Sequence, residues 1–280
     1  MSRRKDPMPI KNILVSYNGT EAARAALSLA LKMSRKYEAH LTGVLSYGPQ
    51  ELISSYAGYL PVGVAEHLAE ADRKRRADIE ASFRELTRDE PAERMHFVDV
   101  FSSADDGLME ISRCYDLIVM AAPEEDSEIP HMEPHADVVA RHSGRPVLVV
   151  PKGYHTEELN EHALVAWDGG RAAARALADA MQILETKHEV TVLTVGDPAE
   201  TGVLRDVTIH LQRHGIRVTP LIKPRGGKRV ANIILDTCAE VGAGLLVMGA
   251  YEHPKFAEDL FGGVTNSVLT GTHIPVLMSH

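Results

Sequence analysis

The chain contains an internal repeat, and this repeat restricts the possible folds more than any other feature of the sequence. Residues 13–27 match residues 163–177 at a constant offset of 150, and both segments have an apolar run, a Gly-containing turn and an Ala-rich amphipathic stretch. A chain of 280 residues is also long for one core and comfortable for two. We therefore predict two domains, residues 1–151 and 152–280.

The two copies differ in length at one place. Residues 116–120 match 244–248 at an offset of 128, so the first copy carries about 21 residues more than the second. Pro49 and Pro198 still align at 149, which places the extra residues after position 50. The sequence predicts that they enlarge the second helix of the first domain and the loop before it.

Apolar runs of strand length alternate with longer amphipathic stretches in both copies, which is typical of a parallel sheet with crossover helices. We predict an α/β fold with five strands in each domain. The predicted strands are 12–17, 39–46, 95–101, 117–121 and 146–150, then 162–167, 189–195, 216–222, 245–249 and 274–279. The predicted helices are 20–37, 64–88, 104–114 and 135–143, then 170–186, 202–214, 228–240 and 263–271.

Composition excludes several classes of protein. The chain is 44% hydrophobic and 25% charged, as in ordinary globular proteins, and a net charge of −9 argues against nucleic acid as a partner. Its longest apolar runs are far shorter than a membrane span, and the first residues lack the apolar segment of an export signal. The two cysteines, Cys114 and Cys238, fit helix interiors, and we predict both to be buried in a cytoplasmic protein.

Two loops of the second copy are candidates for a ligand site. Parallel sheets bind ligands beyond the carboxyl ends of their strands, where helix N-termini converge. Asp168 follows the first strand of this copy directly and precedes two glycines. The fourth strand is followed by residues 249–265, which end in Gly262, Gly263 and Thr265 at the start of a helix. Such a loop offers backbone amides to a phosphate, although glycines at these places are also common turn residues.

At these residues the chain resembles the universal stress protein family, and both copies resemble that family's domain over nearly their whole length. The family's first strand ends in Asp-Gly-Ser, seen here as Asp168-Gly169-Gly170. Its ATP-binding members have Gly-x-x-Gly-x9-Gly-(Ser/Thr) after the fourth strand, and Gly249, Gly262 and Gly263 keep that spacing. The resemblance implies two flavodoxin-like or Rossmann-like sheets of strand order 3-2-1-4-5.

The resemblance also implies an adenine nucleotide as ligand, ATP, ADP or AMP, with Mg²⁺ as a potential companion. It places adenine near Asp168 and Val195 and the phosphates along the loop after the fourth strand. The implied nucleotide-binding residues are Ala166, Trp167, Asp168, Val195, Met248, Gly249, Gly262, Gly263, Val264 and Thr265. It further implies that the last strands of the two domains pair in a pseudo-two-fold arrangement, and that whole chains form a homodimer.

Both copies depart from the family motif. In the second, Glu252 replaces a glycine, which opposes a triphosphate unless a cation bridges them, and Gly263 replaces the Ser or Thr. In the first, Asn18 replaces the acidic residue, and four acids crowd residues 124–128 of the corresponding loop. We therefore predict a nonbinding, structural or regulatory first domain and a near-intact site in the second.

No catalytic motif is evident, so the leading hypothesis is a cytoplasmic stress-response protein that binds an adenine nucleotide in its second domain and is noncatalytic or at most a weak ATPase. The alternative is a nucleotide-free interaction scaffold of the same family. An ATP-using transferase is a third hypothesis. Residues 131–137 contain two imidazoles and nearby carboxylates, but Pro134 disfavours a regular turn carrying both imidazoles, so we assign no metal site.

Overall fold

The structure, a computed structural model of the chain, describes residues 10–48, 62–122, 129–196, 201–250 and 263–280. Strands and helices alternate through both halves of the chain. The first half contains β1 (Asn12–Ser16), α1 (Glu21–Tyr37), β2 (His40–Tyr47), α2 (Val62–Leu86), β3 (Met95–Phe101), α3 (Ala104–Ser112), β4 (Leu117–Ala121), α4 (Ala136–His142) and β5 (Val147–Val150). The second contains β6 (His162–Ala166), α5 (Arg171–Leu184), β7 (Glu189–Val195), α6 (Thr201–Arg213), β8 (Val218–Lys223), α7 (Val230–Val241), β9 (Leu245–Gly249), α8 (Val264–Gly271) and β10 (Val276–Ser279).

All ten strands form one continuous sheet of order β3-β2-β1-β4-β5-β10-β9-β6-β7-β8. Within each half the strands are parallel and follow the order 3-2-1-4-5 that the family resemblance implied. The predicted fold class is therefore confirmed. The difference lies in detail, because the two five-stranded sheets merge into one.

The halves join through β5 and β10, which pair antiparallel. Leu148 lies opposite Leu277, and these two residues are 129 positions apart, the offset of the repeat at this point. The pairs on either side, Val149 with Val276 and Val147 with Met278, exchange under the same offset. The junction therefore has pseudo-two-fold symmetry, and the edges that would otherwise expose apolar strands cover each other.

Two apolar layers lie on the two faces of this sheet, and each contains residues from both halves. One layer surrounds α1 and α5, with Ile13, Leu27 and Leu184 among its fully buried members. The other surrounds α3, α4, α7 and α8, with Leu14 and Leu246 among them. Alternate residues of the central strands enter opposite layers, so these strands have almost continuous apolar sequences.

The predicted elements agree with the structure to within about two residues at each end. Gly242 ends α7 in the left-handed conformation at φ 65°, as the sequence indicates for a helix stop. One burial prediction is half wrong: Cys238 is buried, but Cys114 is exposed just after the end of α3. No helix among the described residues combines the length and the apolar character needed to cross a bilayer.

The extra residues of the first half include a long helix. Helix α2 has 25 residues, whereas α6, at the same place in the second half, has 13. Among its described side chains, Ile79 and Phe83 are buried, one turn apart, and most others are exposed. Helix α2 therefore packs through a narrow stripe, as its mixed charges predict. The preceding loop, residues 49–61, lies outside the described residues.

Candidate functional site

The turn after the first strand has the same geometry in both halves. Gly19 and Gly169 have φ values of 82° and 78°, a region that L side chains rarely occupy. In the first half Asn18 Oδ1 accepts the Thr20 N–H at 3.2 Å, and in the second Asp168 Oδ1 accepts the Gly170 N–H at 2.8 Å. The side chain at this place closes a short turn into the helix in both copies.

The second half presents Asp168 to solvent at the carboxyl end of β6. Asp168 is exposed, whereas its counterpart Asn18 is 8% exposed. Ala166 is partly buried, and Trp167 is held in register because its N–H donates to the Leu193 carbonyl at 2.8 Å. The indole Nε1 of Trp167 is buried without a hydrogen-bond partner within the described chain. A polar atom in that state costs free energy until an acceptor reaches it.

Gly249 allows β9 to lie very close to the start of α5. A Cβ atom at Gly249 would stand 2.5 Å from the Ala173 nitrogen and 2.6 Å from the Ala172 carbonyl carbon. Both are backbone atoms, so no side-chain rotation would relieve the contact. This glycine therefore has a packing role, which the family motif does not reveal by itself. The adjacent Met248 is buried.

The N-terminus of α8 carries the remaining predicted residues that the structure describes. Gly263 is the N-cap, it is exposed, and it gives no side-chain cap. A Cβ atom there would have nothing within 4 Å. Thr265 is 5% exposed and Val264 is partly buried. Val195 is partly buried at the end of β7. Gly262 and Glu252 lie outside the described residues.

In the first half, α2 covers the corresponding strand end. Tyr17, the counterpart of Trp167, is fully buried, and its hydroxyl is 2.8 Å from the Ser82 hydroxyl of α2. Its ring meets Phe83 edge to face, with centroids 5.7 Å apart. A Cβ atom at Gly19 would be 3.2 Å from Ile79 Cγ1, so α2 also contacts the turn. The lengthened helix α2 thus packs against the carboxyl end of the first strand.

A carboxylate occupies the start of the last helix in the first half. Asp105 accepts the backbone N–H of His135, the N-cap of α4, at 2.6 Å, and its other oxygen is 3.0 Å from the His135 ring Nδ1. Asp105 therefore satisfies a donor that a bound anion would otherwise meet.

The cavity beside this helix start measures about 20 Å³, room for one water molecule. It is lined by Ser16, Asn18, Thr20, Ala22, Ala23, Met120, Ala121, Ala122, Glu133 and Pro134. These residues come from the turn after β1, the start of α1, the end of β4 and the segment before α4. The fold therefore brings together the segments that the repeat aligns with Asp168, Gly249 and Gly263.

The two histidines of residues 131–137 are directed to different neighbours. His135 pairs with Asp105, while the pKa of His131 is lowered by burial and by the nearby charge of Arg75, an effect that Asp72 opposes. The described residues contain no group of three or more His, Cys, Asp or Glu suited to a metal ion. The acids of residues 124–128 lie outside the described residues.

Sequence reasoning missed two features of the first half. It missed Asp105 as a cap, because the partner, His135, is 30 residues away in the sequence. It also missed the packing of α2 on the strand end. Ile79 and Phe83, four residues apart, are the apolar pair that could have indicated this packing. Both depend on tertiary contacts.

Comparisons with known proteins agree with this architecture. The sequence profile of the Universal stress protein family matches the chain twice, at residues 9–151 and 160–280. No curated protein matches the chain. A universal stress protein from Archaeoglobus fulgidus DSM 4304 has a similar structure, with a TM-score of 0.73 and 17% identity over 95% of this chain and 94% of its own.

Two further solved structures are similar. A functionally unknown protein from Pseudomonas aeruginosa PAO1 has a TM-score of 0.56 and 15% identity, covering 96% of this chain and 92% of that chain. A universal stress protein in complex with cAMP covers 44% of this chain and 98% of its own, at 19% identity and a TM-score of 0.36. The fold, the internal repeat and the two profile matches lead to one conclusion: the chain belongs to the universal stress protein family, with two family domains in tandem.

Proposed function

We propose that the second half binds an adenine nucleotide (ATP, ADP or AMP), with or without Mg²⁺, and that the protein acts as a noncatalytic stress-response protein of the cytoplasm. The first half is then a structural or regulatory copy, with the domain boundary between residues 151 and 152. The binding residues are Ala166, Trp167, Asp168, Val195, Met248, Gly249, Gly262, Gly263, Val264 and Thr265.

The contrast between the two last helices carries this proposal. In the first half, the Asp105 carboxylate already accepts the N–H at the start of α4. In the second half, α8 starts at an exposed glycine that contributes no side-chain cap. The first N–H groups of a helix and its macrodipole favour an anion at that end. A nucleotide phosphate is the anion that the family resemblance suggests.

Asp168 supplies the second recognition element. It is exposed at the end of β6, and a carboxylate has about four lone-pair positions, so it can accept hydrogen bonds from a ligand as well as from the chain, as it does from the Gly170 N–H. The sugar hydroxyls and the adenine amine of a nucleotide are suitable donors. Asn18 in the first half is buried, and its oxygen accepts from both the N–H and the hydroxyl of Thr20.

Catalysis is not part of the proposal. Burial raises the pKa of the Cys238 thiol to about 12, so this group stays protonated and is a poor nucleophile. Lys228, in a glycine-rich segment, lies 3.6 Å from the Asp236 carboxylate on the exposed side of α7 rather than in a phosphate loop. We expect bound ATP to remain intact over the time of a binding experiment.

Fluorescence titration tests the proposal, because Trp167 is the single tryptophan of the sequence and belongs to the proposed site. ATP with Mg²⁺, ADP and AMP are titrated into the full chain, with calorimetry in parallel. We expect saturable binding, and Asp168→Ala should weaken it about tenfold or more, since hydrogen bonds to charged groups contribute roughly 1.5–3 kcal/mol.

The matched control is Asn18→Ala in the first half, which should leave the affinity unchanged. Absence of heat and of a fluorescence change at millimolar ATP would refute the proposal and leave the nucleotide-free scaffold as the function. Equal affinity for the wild type and Asp168→Ala would place the nucleotide elsewhere. Steady release of AMP and pyrophosphate with an added acceptor would instead favour the transferase.

The predicted homodimer of whole chains belongs to the same proposal, and the β3 edge of the sheet is the surface that we assign to it. Val98 and Phe101 of this edge strand are exposed, Phe101 at 71%. The opposite edge strand, β8, contains Pro220, which cannot donate to another strand. Light scattering should give the mass of two chains, and Phe101→Lys should reduce it to one.

A further inference from the structure

Two exposed histidines lie one helical turn apart at the C-terminal end of α6, and neither belongs to the residues of the nucleotide proposal. His210 lies in the last turn of the helix, and His214 follows its final residue. Their ring centroids are 5.0 Å apart, and the ring planes make an angle of 60°. Both imidazoles therefore point to the same region of solvent.

A carboxylate from another helix orients one of these rings. The Nδ1 atom of His214 is 3.0 Å from Oε1 of Glu185, the C-cap residue of α5. With Nδ1–H donating to the carboxylate, Nε2 carries the lone pair and faces away from it. Histidines that bind metal ions almost always donate their other N–H to a carboxylate, carbonyl or water in this way.

The spacing of the rings fits a shared ion. With Zn–N bonds of about 2.0–2.1 Å and a tetrahedral angle, two imidazoles on one ion have centroids roughly 5 Å apart. The electrostatics are also favourable, because the C-terminal ends of α5 and α6 meet here and the negative end of a helix dipole attracts a cation. Arg213 is exposed beside the pair and opposes a cation, but water screens its charge.

A second histidine pair provides a contrast. His40 and His96, on β2 and β3, have nearly parallel rings, with an interplanar angle of 9°. Nδ1 of His40 is 3.2 Å from Nε2 of His96, so one of these nitrogens donates a hydrogen bond to the other. An ion would have to break that hydrogen bond, whereas Nε2 of His214 is directed outward by Glu185.

We propose that His210 and His214, positioned by Glu185, bind a divalent transition-metal ion of the Zn²⁺, Ni²⁺ or Cu²⁺ class. Imidazole nitrogen suits these ions and not Mg²⁺, which prefers oxygen. The described residues hold no group of three direct protein ligands, so water completes the coordination and the bound ion exchanges readily. The site links the ends of α5 and α6, and occupancy therefore stabilises the second half.

Calorimetric titration of the full chain with ZnCl₂, NiCl₂ and MgCl₂ tests the proposal. One Zn²⁺ or Ni²⁺ should bind per chain, with no Mg²⁺ binding. His210→Ala and His214→Ala should each weaken Zn²⁺ binding about tenfold or more, and Glu185→Gln should weaken it by a smaller factor, since it acts through His214. Zn²⁺ should raise the melting temperature of the wild type and not that of the His210→Ala/His214→Ala double variant.

The matched control is the double variant His40→Ala/His96→Ala, which removes the same number of imidazoles. It should bind Zn²⁺ like the wild type. Wild-type affinity in the His210→Ala/His214→Ala variant would overturn the proposal, as would loss of binding in the control variant. Circular dichroism of each variant without metal shows that it is folded, so that lost binding reports on the site.

Discussion

The two halves of this chain share a fold and the turn after their first strand, but among the described residues the side chain that follows this strand is fully buried under a helix only in the first half. In the first half, α2 packs on Tyr17 and the turn, and Asp105 holds the start of the last helix. In the second half, Asp168 is exposed and Gly263 leaves its helix start without a side-chain cap. The two halves therefore share a backbone scaffold, and the contacts of α2 and Asp105 distinguish the first half from the second.

The pseudo-two-fold axis gives a second comparison, because its related contacts are chemically different. The hydroxyl of Tyr37 at the end of α1 is 3.3 Å from that of Thr186 after α5. The repeat pairs Tyr37 with Lys187 and Thr186 with Lys36, so the symmetry-related contact brings two lysines together. The pseudo-two-fold symmetry of the backbone therefore does not extend to the side-chain contacts at the junction.

The largest expected effect comes from Phe83→Ala, which removes the buried side chain by which α2 packs on the end of the first strand. Phe83 is 2% exposed and packs against Tyr17 and Phe97. Truncating a buried Phe costs about 3–5 kcal/mol in the free energy of unfolding. Urea denaturation followed by circular dichroism measures it.

Leu86→Ala on the same helix is the control, since Leu86 is 44% exposed and should change stability by less than about 0.5 kcal/mol. Similar losses of unfolding free energy in both variants would mean that α2 does not pack through Phe83. The contrast between the strand ends of the two halves would then fail.

Gly249→Ala tests the close approach of β9 to α5 in the second half. The new methyl group would collide with backbone atoms of Ala172 and Ala173, so α5 must shift. Overpacking of this kind costs about 1–3 kcal/mol, and we expect nucleotide binding to be lost as the turn at Asp168 moves with the helix. Thermal unfolding and Trp167 fluorescence measure the two effects.

The first half already carries a methyl group at the corresponding position, Ala121. Ala121→Gly should therefore cost less than about 1 kcal/mol and leave nucleotide binding unchanged. If Gly249→Ala were equally mild, the two halves would pack their first helices alike, and this part of the comparison would be wrong.

The lowered pKa of Lys187, at the junction of the two halves, predicts that the free energy of unfolding depends on pH. Burial, and then the charge of Lys36, lower its pKa to about 8, while Glu161 acts in the opposite direction. The unfolded chain keeps this proton up to about pH 10.4, so it binds more protons than the folded chain between these values. The contribution of Lys187 to stability should therefore rise with pH across that interval, whereas Cys238, whose raised pKa makes the folded chain keep its proton longer, contributes in the opposite direction above about pH 8.5.

From pH 7 to 9.5 the Lys187 contribution to the free energy of unfolding should increase by about 1–2 kcal/mol, after allowance for partial contact with water. Chemical denaturation at several pH values measures it as the difference between the wild type and Lys187→Met, which should lack this contribution. Lys74→Met on the exposed face of α2 should keep it. A rise that persists in Lys187→Met would assign the effect to other groups.

The sequence predicted most of the fold because each element depends on local signals. Alternation of apolar runs and amphipathic stretches located the strands and helices, and glycines such as Gly242 marked a helix end. The family resemblance also implied that β5 pairs with β10. The exposure of Cys114 was predicted wrongly because helical spacing alone does not show where a helix ends.

Less of the candidate site could be predicted. Motif spacing found Asp168 and Gly249, but it could not show that Gly249 is needed for packing against α5. Nor could it show that Asp105 caps the helix starting near His135, because the contact joins residues distant in sequence. Motifs identify the residues that meet at strand ends, and tertiary contacts decide how much space remains between them.

The smallest expected effect is that of Gly263→Ser, which restores the hydroxyl that the family motif has at this position. A Cβ atom there meets nothing within 4 Å, and φ is −40°, so the side chain enters without strain. Serine as N-cap should stabilise α8 by a few tenths of a kcal/mol relative to glycine. A hydroxyl donor to a phosphate is worth about 0.5–1.5 kcal/mol, so ATP affinity should rise roughly two- to tenfold.

Pro134→Ser, at the aligned position of the first half, is the matched variant. There Asp105 already holds the helix start and the cavity admits about one water molecule, so we expect no new nucleotide site. Calorimetry should give one ATP per chain for both variants, tighter than the wild type only for Gly263→Ser. A second ATP bound to Pro134→Ser would show that a single hydroxyl, and not the covering by α2 and Asp105, separates the two halves.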